Sequence, residues 1–253
     1  MILDRKGDRM SKKERLDKIL ANMGYGSRKD VKKFIKDGRV KVNNSIILDN
    51  EFKVSPYEDE IFLGDEEVLY REYIYIMMNK PQGLVSSTDD PRTRTVIDLL
   101  QRQHLIYKPF PVGRLDKDTE GLLMISNDGK LAHELLSPKK GVNKKYYVQV
   151  DGYVEDKYIE VFKDGVTLDD GYKTLPADLE IINADIISKV YLTIQEGKFH
   201  QVKRMFESIG MKVLFLKRVS MGPLNLDESL SPGEYRELTE NEINLLKSHI
   251  NVI

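Results

Sequence analysis

The sequence of 253 residues contains no cysteine. This absence excludes disulfides, thiolate metal sites and a cysteine nucleophile, and it fits a reducing compartment, for which we predict the cytoplasm. No apolar run approaches the roughly 20 residues that a membrane-spanning helix needs, so we expect no membrane partner. The first residues lack the apolar core of a signal peptide. We expect residues 1–11 to be a flexible extension, with the natural start at Met10.

Other familiar site patterns are also missing. The chain has no cluster of metal ligands, no Walker glycine loop and no dinucleotide fingerprint, so neither a metal nor a cofactor is expected. It contains no internal repeat and no low-complexity tract. Its length allows one large domain or a large and a small one, and a monomer is the default expectation. Strands and helices mixed without a strict βαβ rhythm predict an α+β fold.

The net charge of −1 conceals a basic block near the N-terminus. Between Arg5 and Lys41, fourteen lysine or arginine residues face five acidic ones. A helix is predicted after Ser27, an N-cap with Asp30 three residues on, and one face of it is basic. Such a ridge suits the phosphates of RNA, although an ordinary solvated helix face would have the same composition. The basic face carries Arg28, Lys29, Lys32, Lys33 and Lys36.

Hydrophobic spacing predicts the remaining elements. Leu16, Ile19, Leu20 and Met23 form the apolar side of a first helix that ends at Gly24. The acidic stretch from 58 to 67 closes a small domain, so we predict domains 12–70 and 71–253. Strands are predicted at 40–42, 73–78, 122–125, 146–150 and 189–194, and helices at 95–101, 130–136, 200–209 and after Thr239, which forms a capping box with Glu242.

The most informative stretch runs from Gly113 to Leu123. It places the carboxylate of Asp116 in a polar turn just before a buried strand, with Arg114 beside it. An aspartate in such a turn is often only a cap or an Asx turn. Asp118 has the same local character, and spacing alone does not separate the two.

Three further segments accompany this stretch: 78–83 with 87–91, 144–148 and 196–206. In this order and spacing the four segments resemble the motifs of the pseudouridine synthases, and most closely the RsuA-type branch that modifies small-subunit (16S) ribosomal RNA. Residues 15–18, 26–28, 38–40 and 42–43 resemble an S4 RNA-binding domain. Asn44-Ser45 stands where that domain usually has a glycine turn. The likeness covers about residues 12–246.

The resemblance implies an α+β protein, with a small N-terminal S4 (αL-like) domain and a catalytic domain built on a long, bent, mostly antiparallel sheet. It implies an isomerase that converts one uridine of 16S ribosomal RNA, position 516, into pseudouridine without a cofactor. The partner would be 16S ribosomal RNA, in an assembly intermediate of the subunit. The alternatives are a 23S ribosomal RNA pseudouridine synthase of the same family, a non-catalytic S4 RNA-binding protein, and a glycosidase-like hydrolase with paired carboxylates.

The resemblance also assigns roles to residues. Asp116 would act at C1′ of the uridine, Lys203 would keep that carboxylate charged, and Tyr146 would stack on the uracil and take the C5 proton. Arg204 is the alternative to Lys203, and Tyr147 is the alternative to Tyr146. We expect His133 and His200 to be structural. The residues predicted to bind RNA are Arg15, Lys18, Arg28, Lys29, Lys32, Lys33, Arg39, Lys80, Arg92, Arg114, Lys144 and Arg204.

Overall fold

The computed structural model describes residues 13–252, without the side chains of the last two. The predicted extension over residues 1–11, the start at Met10 and the basic residues up to Lys12 lie outside this part of the chain. The described residues form two compact units, one of 13–73 with 101–108, the other of 74–100 with 109–252. Across residues 13–252, no helix combines the length and apolarity needed to cross a bilayer.

The first unit is a small α+β domain with its own core. The helix Arg28–Lys36 begins with the expected reciprocal capping box between Ser27 and Asp30. Ten buried aliphatic side chains from both helices and the adjoining strands, Leu16 and Ile35 among them, make the core. The elements are α1 Leu16–Asn22, α2 Arg28–Lys36, β1 Glu14–Arg15, β2 Val40–Val42, β3 Ser45–Ile46, β4 Lys53–Val54, β5 Ile61–Leu63 and β6 Glu66–Glu67. The strands form two small antiparallel sheets, β1-β4 and β3-β2-β5-β6.

The second unit is built on one large sheet. Its strands are β7 Tyr75–Lys80, β8 Phe110–Val112, β9 Glu120–Ser126, β10 Lys144–Asp151, β11 Asp178–Asn183, β12 Ile187–Ile194, β13 Lys212–Met221, β14 Leu224–Asn225 and β15 Tyr235–Glu237. Within the described residues the strand order is β11-β12-β10-β13-β9-β7-β15, with β14 paired to β13 and β8 to β9. The helices are α3 Arg102–Leu105 (in the first unit), α4 Gly129–Leu136, α5 Lys157–Lys163, α6 Gln201–Glu207 and α7 Glu240–Val252.

The predicted α+β class and the mostly antiparallel sheet are confirmed. Among the pairs of this sheet, β9 and β13 run parallel and the other pairs are antiparallel. Val190, Leu192 and Ile194 share the buried face of β12, as their alternation predicted. The capping box of Thr239 with Glu242 is also present. The helix predicted at 95–101 is instead a 3₁₀ turn, Ile97–Leu99, because Asp98 accepts a hydrogen bond from Thr95 N–H and Leu100 is extended.

One glycine permits the parallel pair. Gly121, at the start of β9, lies opposite Arg218 of β13 and has a φ of +102°. A Cβ atom there would lie 2.2 Å from the carbonyl oxygen of Arg218. No side chain fits in that space, so glycine allows the two backbones to meet directly after the turn that holds Asp116.

Candidate active site

Asp116 lies in a turn whose backbone carbonyls accept hydrogen bonds from a buried lysine. Lys80, the last residue of β7, is fully buried. Its Nζ donates hydrogen bonds to the carbonyl oxygens of Pro81 (3.0 Å), Asp116 (3.0 Å) and Thr119 (2.9 Å). Thr119 N–H also donates to the carbonyl oxygen of Asp116, which closes the turn. From a fully buried position the ammonium therefore binds three carbonyl oxygens of the turn, and it holds the backbone that carries the Asp116 carboxylate.

Ser86 holds the residue just before Asp116. Its hydroxyl donates to the carbonyl oxygen of Leu115 (2.9 Å) and accepts from the N–H of the same residue (3.1 Å). Gly83 N–H donates to the carbonyl oxygen of Lys117 (2.7 Å). The backbone on both sides of Asp116 is thus held by the segment that follows β7.

The Asp116 side chain stays partly open, with 29% of its surface exposed. Lys203 Nζ lies 3.7 Å from Asp116 Oδ2, and His200 Nε2 lies 3.8 Å from Asp116 Oδ1. Lys203 lies closer to Asp118, at 2.6 and 2.8 Å from its two carboxylate oxygens. This hydrogen bond lowers the pKa of Asp118. The structure therefore gathers both carboxylates around one ammonium, with Asp118 as its nearer partner and Asp116 within reach.

A buried polar network fixes the segment that presents Lys203. Glu196 accepts hydrogen bonds from Tyr172 Oη (2.7 Å), Leu175 N–H (2.9 Å) and Gln201 Nε2 (2.7 Å). Gln201 Oε1 in turn accepts from Lys198 N–H (2.8 Å). These bonds tie the loop after β12 to the first residue of α6. Lys203 lies two residues further on, off the apolar stripe of that helix, and so it faces the carboxylates.

Tyr146 lies on the buried face of β10. Its Cα partners are Leu192 of β12 and Arg218 of β13, and Arg218 is also the partner of Gly121. Neighbouring strands are about 4.8 Å apart, so Tyr146 and Gly121 lie about 10 Å apart across β13. Tyr147 is on the opposite face, in edge-to-face contact with Tyr191 and Phe215. Of the two tyrosines, Tyr146 shares a face with Arg218.

Arg218 also belongs to this region, although no motif or periodicity pointed to it. Its side chain is buried, and Nε donates to the carbonyl oxygen of Leu122 (2.8 Å). Within residues 13–252, no hydrogen-bond partner is recorded for its Nη2 atom. A buried cation thus stands in the strand between Tyr146 and the turn of Asp116. The unpredicted strand β13 places it there.

Lys80 and Lys144, both predicted to bind RNA, are instead buried. Lys144 Nζ donates to the carbonyl oxygens of Val142 (3.0 Å) and Gln195 (3.3 Å). The pKa of each lysine is lowered to about 8, mainly by burial, and for Lys144 the nearby Arg218 contributes to the shift. These ammonium groups hold backbone carbonyls, and neither is presented at the surface. The long aliphatic part of a lysine side chain lets its ammonium reach such carbonyls from inside a sheet. The composition of the chain does not show which lysines do so.

The other predicted cations of this unit lie nearer solvent. Arg92 and Arg114 are exposed. Arg204 is paired with Asp169 and Asp170, at 2.7 Å from the latter. No group of three histidine or acidic residues suited to a metal ion occurs between residues 13 and 252.

The chain matches known proteins over nearly its whole length. The family model for RNA pseudouridylate synthases matches residues 74–208, more than half of the chain. The chain belongs to the RNA pseudouridylate synthase family. The model for the S4 domain matches residues 14–61. The family resemblance and the presence of both domains, predicted from the motifs, are confirmed, and the protein is an enzyme of the class that acts on RNA.

Individual synthases agree with this assignment. An uncharacterised RNA pseudouridine synthase of Bacillus subtilis is 52% identical over 92% of this chain and 98% of its own. The ribosomal small subunit pseudouridine synthase A of Escherichia coli is 41% identical over 90% of this chain and 98% of its own. A crystal structure of a pseudouridylate synthase, 40% identical, covers 92% of this chain and 99% of that one with a TM-score of 0.65.

In the S4 unit of this synthase the predicted cations differ in their surroundings. Arg28, Lys29, Lys32 and Lys33 are exposed along α2. Arg39 lies 4.7 Å above the ring of Phe34. Arg15 is paired with Asp17 and Glu51, and Lys18 with Glu14. The exposed side of α2 therefore carries the basic surface most open to a ligand, and we call these four residues the α2 ridge.

Proposed function

We propose that this protein converts one uridine of small-subunit ribosomal RNA, at the position numbered 516 in 16S RNA, into pseudouridine. The full-length likeness to a ribosomal small subunit pseudouridine synthase supports the substrate class. Because that RNA is made and assembled in the cytoplasm, we propose a cytoplasmic enzyme. We assign RNA binding to residues 12–70 and catalysis to residues 71–253.

Asp116 is the carboxylate that we assign to the reaction. The supporting observation is its backbone, held by Lys80 at 3.0 Å, with its side chain partly open between Lys203 and His200. Isomerisation breaks the N1–C1′ bond, turns the uracil and joins C5 to C1′. C5 then loses its proton and N1 gains one, so no atom is gained or lost. A fixed carboxylate serves this chemistry either by attacking C1′ or by taking the 2′ proton.

Lys203 and Tyr146 complete the proposed machinery. Burial beneath a bound RNA would raise the pKa of a carboxylate, and a neighbouring ammonium opposes that change. Lys203 is shared with Asp118, so both carboxylates keep it in place. We assign Tyr146 to stacking on the uracil that leaves the helix stack and to the late C5 proton. The α2 ridge and the exposed Arg92 and Arg114 would contact phosphates, while Lys80 and Lys144 support the backbone.

Replacing each carboxylate separately tests the assignment of the nucleophile. Ribosomal RNA labelled with tritium at uridine C5 releases tritium to water when C5 loses its proton. We expect Asp116→Ala to abolish this release, while Asp118→Ala retains most of it because Lys203 still faces Asp116. The opposite result would show that Asp118 is the reacting group. Mapping pseudouridines in 16S RNA from cells that lack the protein tests position 516 independently.

A further inference from the structure

Phe199 and His200 form a two-ring stack on the loop before α6. Their ring centroids are 3.8 Å apart and their planes differ by 18°. The Phe199 side of the pair is open, since 75% of this residue is exposed. A large ring that is left in water on one side, with its other side covered by a second ring, offers a flat stacking surface.

The stack stands directly beside the reacting carboxylate. His200 Nε2 is 3.8 Å from Asp116 Oδ1, and the imidazole is 40% exposed. We predicted a structural role for this histidine, and its imidazole in fact faces the site. His200 has a φ of +50°, a left-handed conformation that few residues other than glycine adopt, although histidine adopts it more often than most.

The surroundings of the loop hold it in place. Gln201 binds the buried Glu196 on one side and the N–H of Lys198 on the other, so both ends of the segment 197–200 are tied. The exposed ring of Phe199 is therefore held next to His200, whose imidazole lies beside Asp116. Two lysines are near Phe199 in the chain: Lys198, whose ammonium lies over the ring of Tyr172, and Lys203, which is paired with Asp118.

A nucleobase next to the target is the partner that this surface fits. When a uracil leaves the RNA stack, the base beside it loses a stacking neighbour. Aromatic side chains replace such contacts for any base, because every base has a π face. The positive groups near the ring suit the phosphates on either side of that base. Tyr146 lies on the buried face of the sheet, so it is suited to the flipped uracil and Phe199 to the base that remains outside.

We propose that Phe199, backed by His200, is the stacking platform for the nucleobase adjacent to the target uridine. The platform rests on the proposed function and adds a specific contact to it. It fixes where the RNA strand crosses the site, so that the sugar of the target lies above Asp116. Phe199 is thereby a substrate-binding residue, and His200 positions it.

The chain has no tryptophan, which gives a direct optical test. Phe199→Trp introduces a single indole, and stacking on a base should quench its fluorescence when a 16S RNA fragment containing the target binds. Tyr153→Trp is the matched control, because Tyr153 is 61% exposed and lies seven residues beyond Tyr146 along the chain. Both are made with Asp116→Ala, so that no turnover disturbs the signal. We expect quenching in the first protein and little in the second. Equal signals, or none in the first, would overturn the proposal.

The affinity of Phe199 variants for the same RNA fragment distinguishes aromatic stacking from a contact that any large apolar side chain could make. Loss of one aromatic–base stack corresponds to roughly 5- to 150-fold weaker binding, which we expect for Phe199→Ala. Phe199→Tyr should restore affinity, whereas Phe199→Leu should not, and the melting temperature should hardly change. Wild-type affinity in the alanine variant, or full rescue by leucine, would refute the platform. Because quenching and affinity need no turnover, they decide this question separately from tritium release, whose absence in the wild type would refute the proposed function.

Discussion

Replacing Lys80 by methionine removes the ammonium beneath Asp116 and keeps a side chain of similar length. The three carbonyl oxygens of Pro81, Asp116 and Thr119 then lose a donor at 2.9–3.0 Å. The site is fully buried, so water does not replace that donor. The turn must either tolerate unsatisfied oxygens or move, and in both cases Asp116 loses its support.

The size of the effect follows from those three bonds. A buried polar group left without a partner costs about 1–3 kcal/mol, and removing a buried charge offsets part of the total. We expect a net loss of about 3 kcal/mol in the free energy of unfolding, which lowers the melting temperature by roughly 6–12 °C in a chain of this length. A displacement of the carboxylate by about 1 Å would reduce turnover roughly 100-fold.

The pH dependence provides a sharper signature. Burial lowers the pKa of Lys80 to about 8, whereas an unfolded lysine releases its proton near pH 10.4. Between these values the unfolded chain binds more protons, so this residue's contribution to folding stability rises with pH. Turnover should fall over the same range, because a neutral amine has one N–H fewer for the three carbonyls and no charge near Asp116. In Lys80→Met both trends from this residue disappear.

Lys144→Met is the matched control. Lys144 is also a buried lysine whose ammonium binds carbonyls, and burial lowers its pKa to about 8, but the charged groups near it are Arg218 and Glu196 and not Asp116. Its replacement should lower stability and leave the alkaline fall of turnover in place. Single-turnover tritium release between pH 6 and 10, with thermal melts, measures both. Wild-type turnover in Lys80→Met, or an alkaline fall that follows Lys144 instead, would contradict this account of the turn.

Two further predictions concern the parallel strand pair and the basic helix. Gly121→Ala places a Cβ 2.2 Å from the carbonyl oxygen of Arg218 and should cost at least about 3 kcal/mol in unfolding experiments, whereas Gly129→Ala, with no atom within 4 Å, should be neutral or stabilising. Equal melting temperatures would disprove the close approach. Reversing the charges of Lys32 and Lys33 should lower the slope of log K against log salt by at least roughly 1.4, while reversing Lys157 and Lys163 on α5 should leave it unchanged. An unaltered slope in the first variant would exclude the α2 ridge from RNA binding.

Much of the fold was accessible to sequence reasoning because local signals were strong. The capping box of Ser27 and Asp30 and the apolar spacing of α1 and α2 identified the first unit. The alternation of Val190, Leu192 and Ile194 identified β12. In each case the pattern depends on neighbours within a few residues, so the chain carries the information locally.

The parts that were missed depend on distant partners. Strand β13 was not predicted because its buried residues do not alternate cleanly, and Arg218 interrupts the apolar pattern while being buried itself. Lys80 and Lys144 carry surface-type side chains whose partners are backbone carbonyls, and composition does not encode those. His200 has no sequence pattern with Asp116, 84 positions earlier, and only the fold brings them together.

The segment 101–108 constrains how this protein can change over time. It lies in the compact unit of the first domain, where Ile106 packs on Gly24 and Tyr107 Oη lies 3.9 Å from the Met23 sulfur. A domain that is exchanged as one contiguous terminal segment has a single connection to the rest of the chain. Here the backbone passes between the two units three times. Deleting the part of the first unit that precedes Ile74 would remove Gly24 and Met23, on which Ile106 and Tyr107 pack. The unit that contains the S4 domain therefore includes a segment from the middle of the chain, and changes in the two must stay compatible.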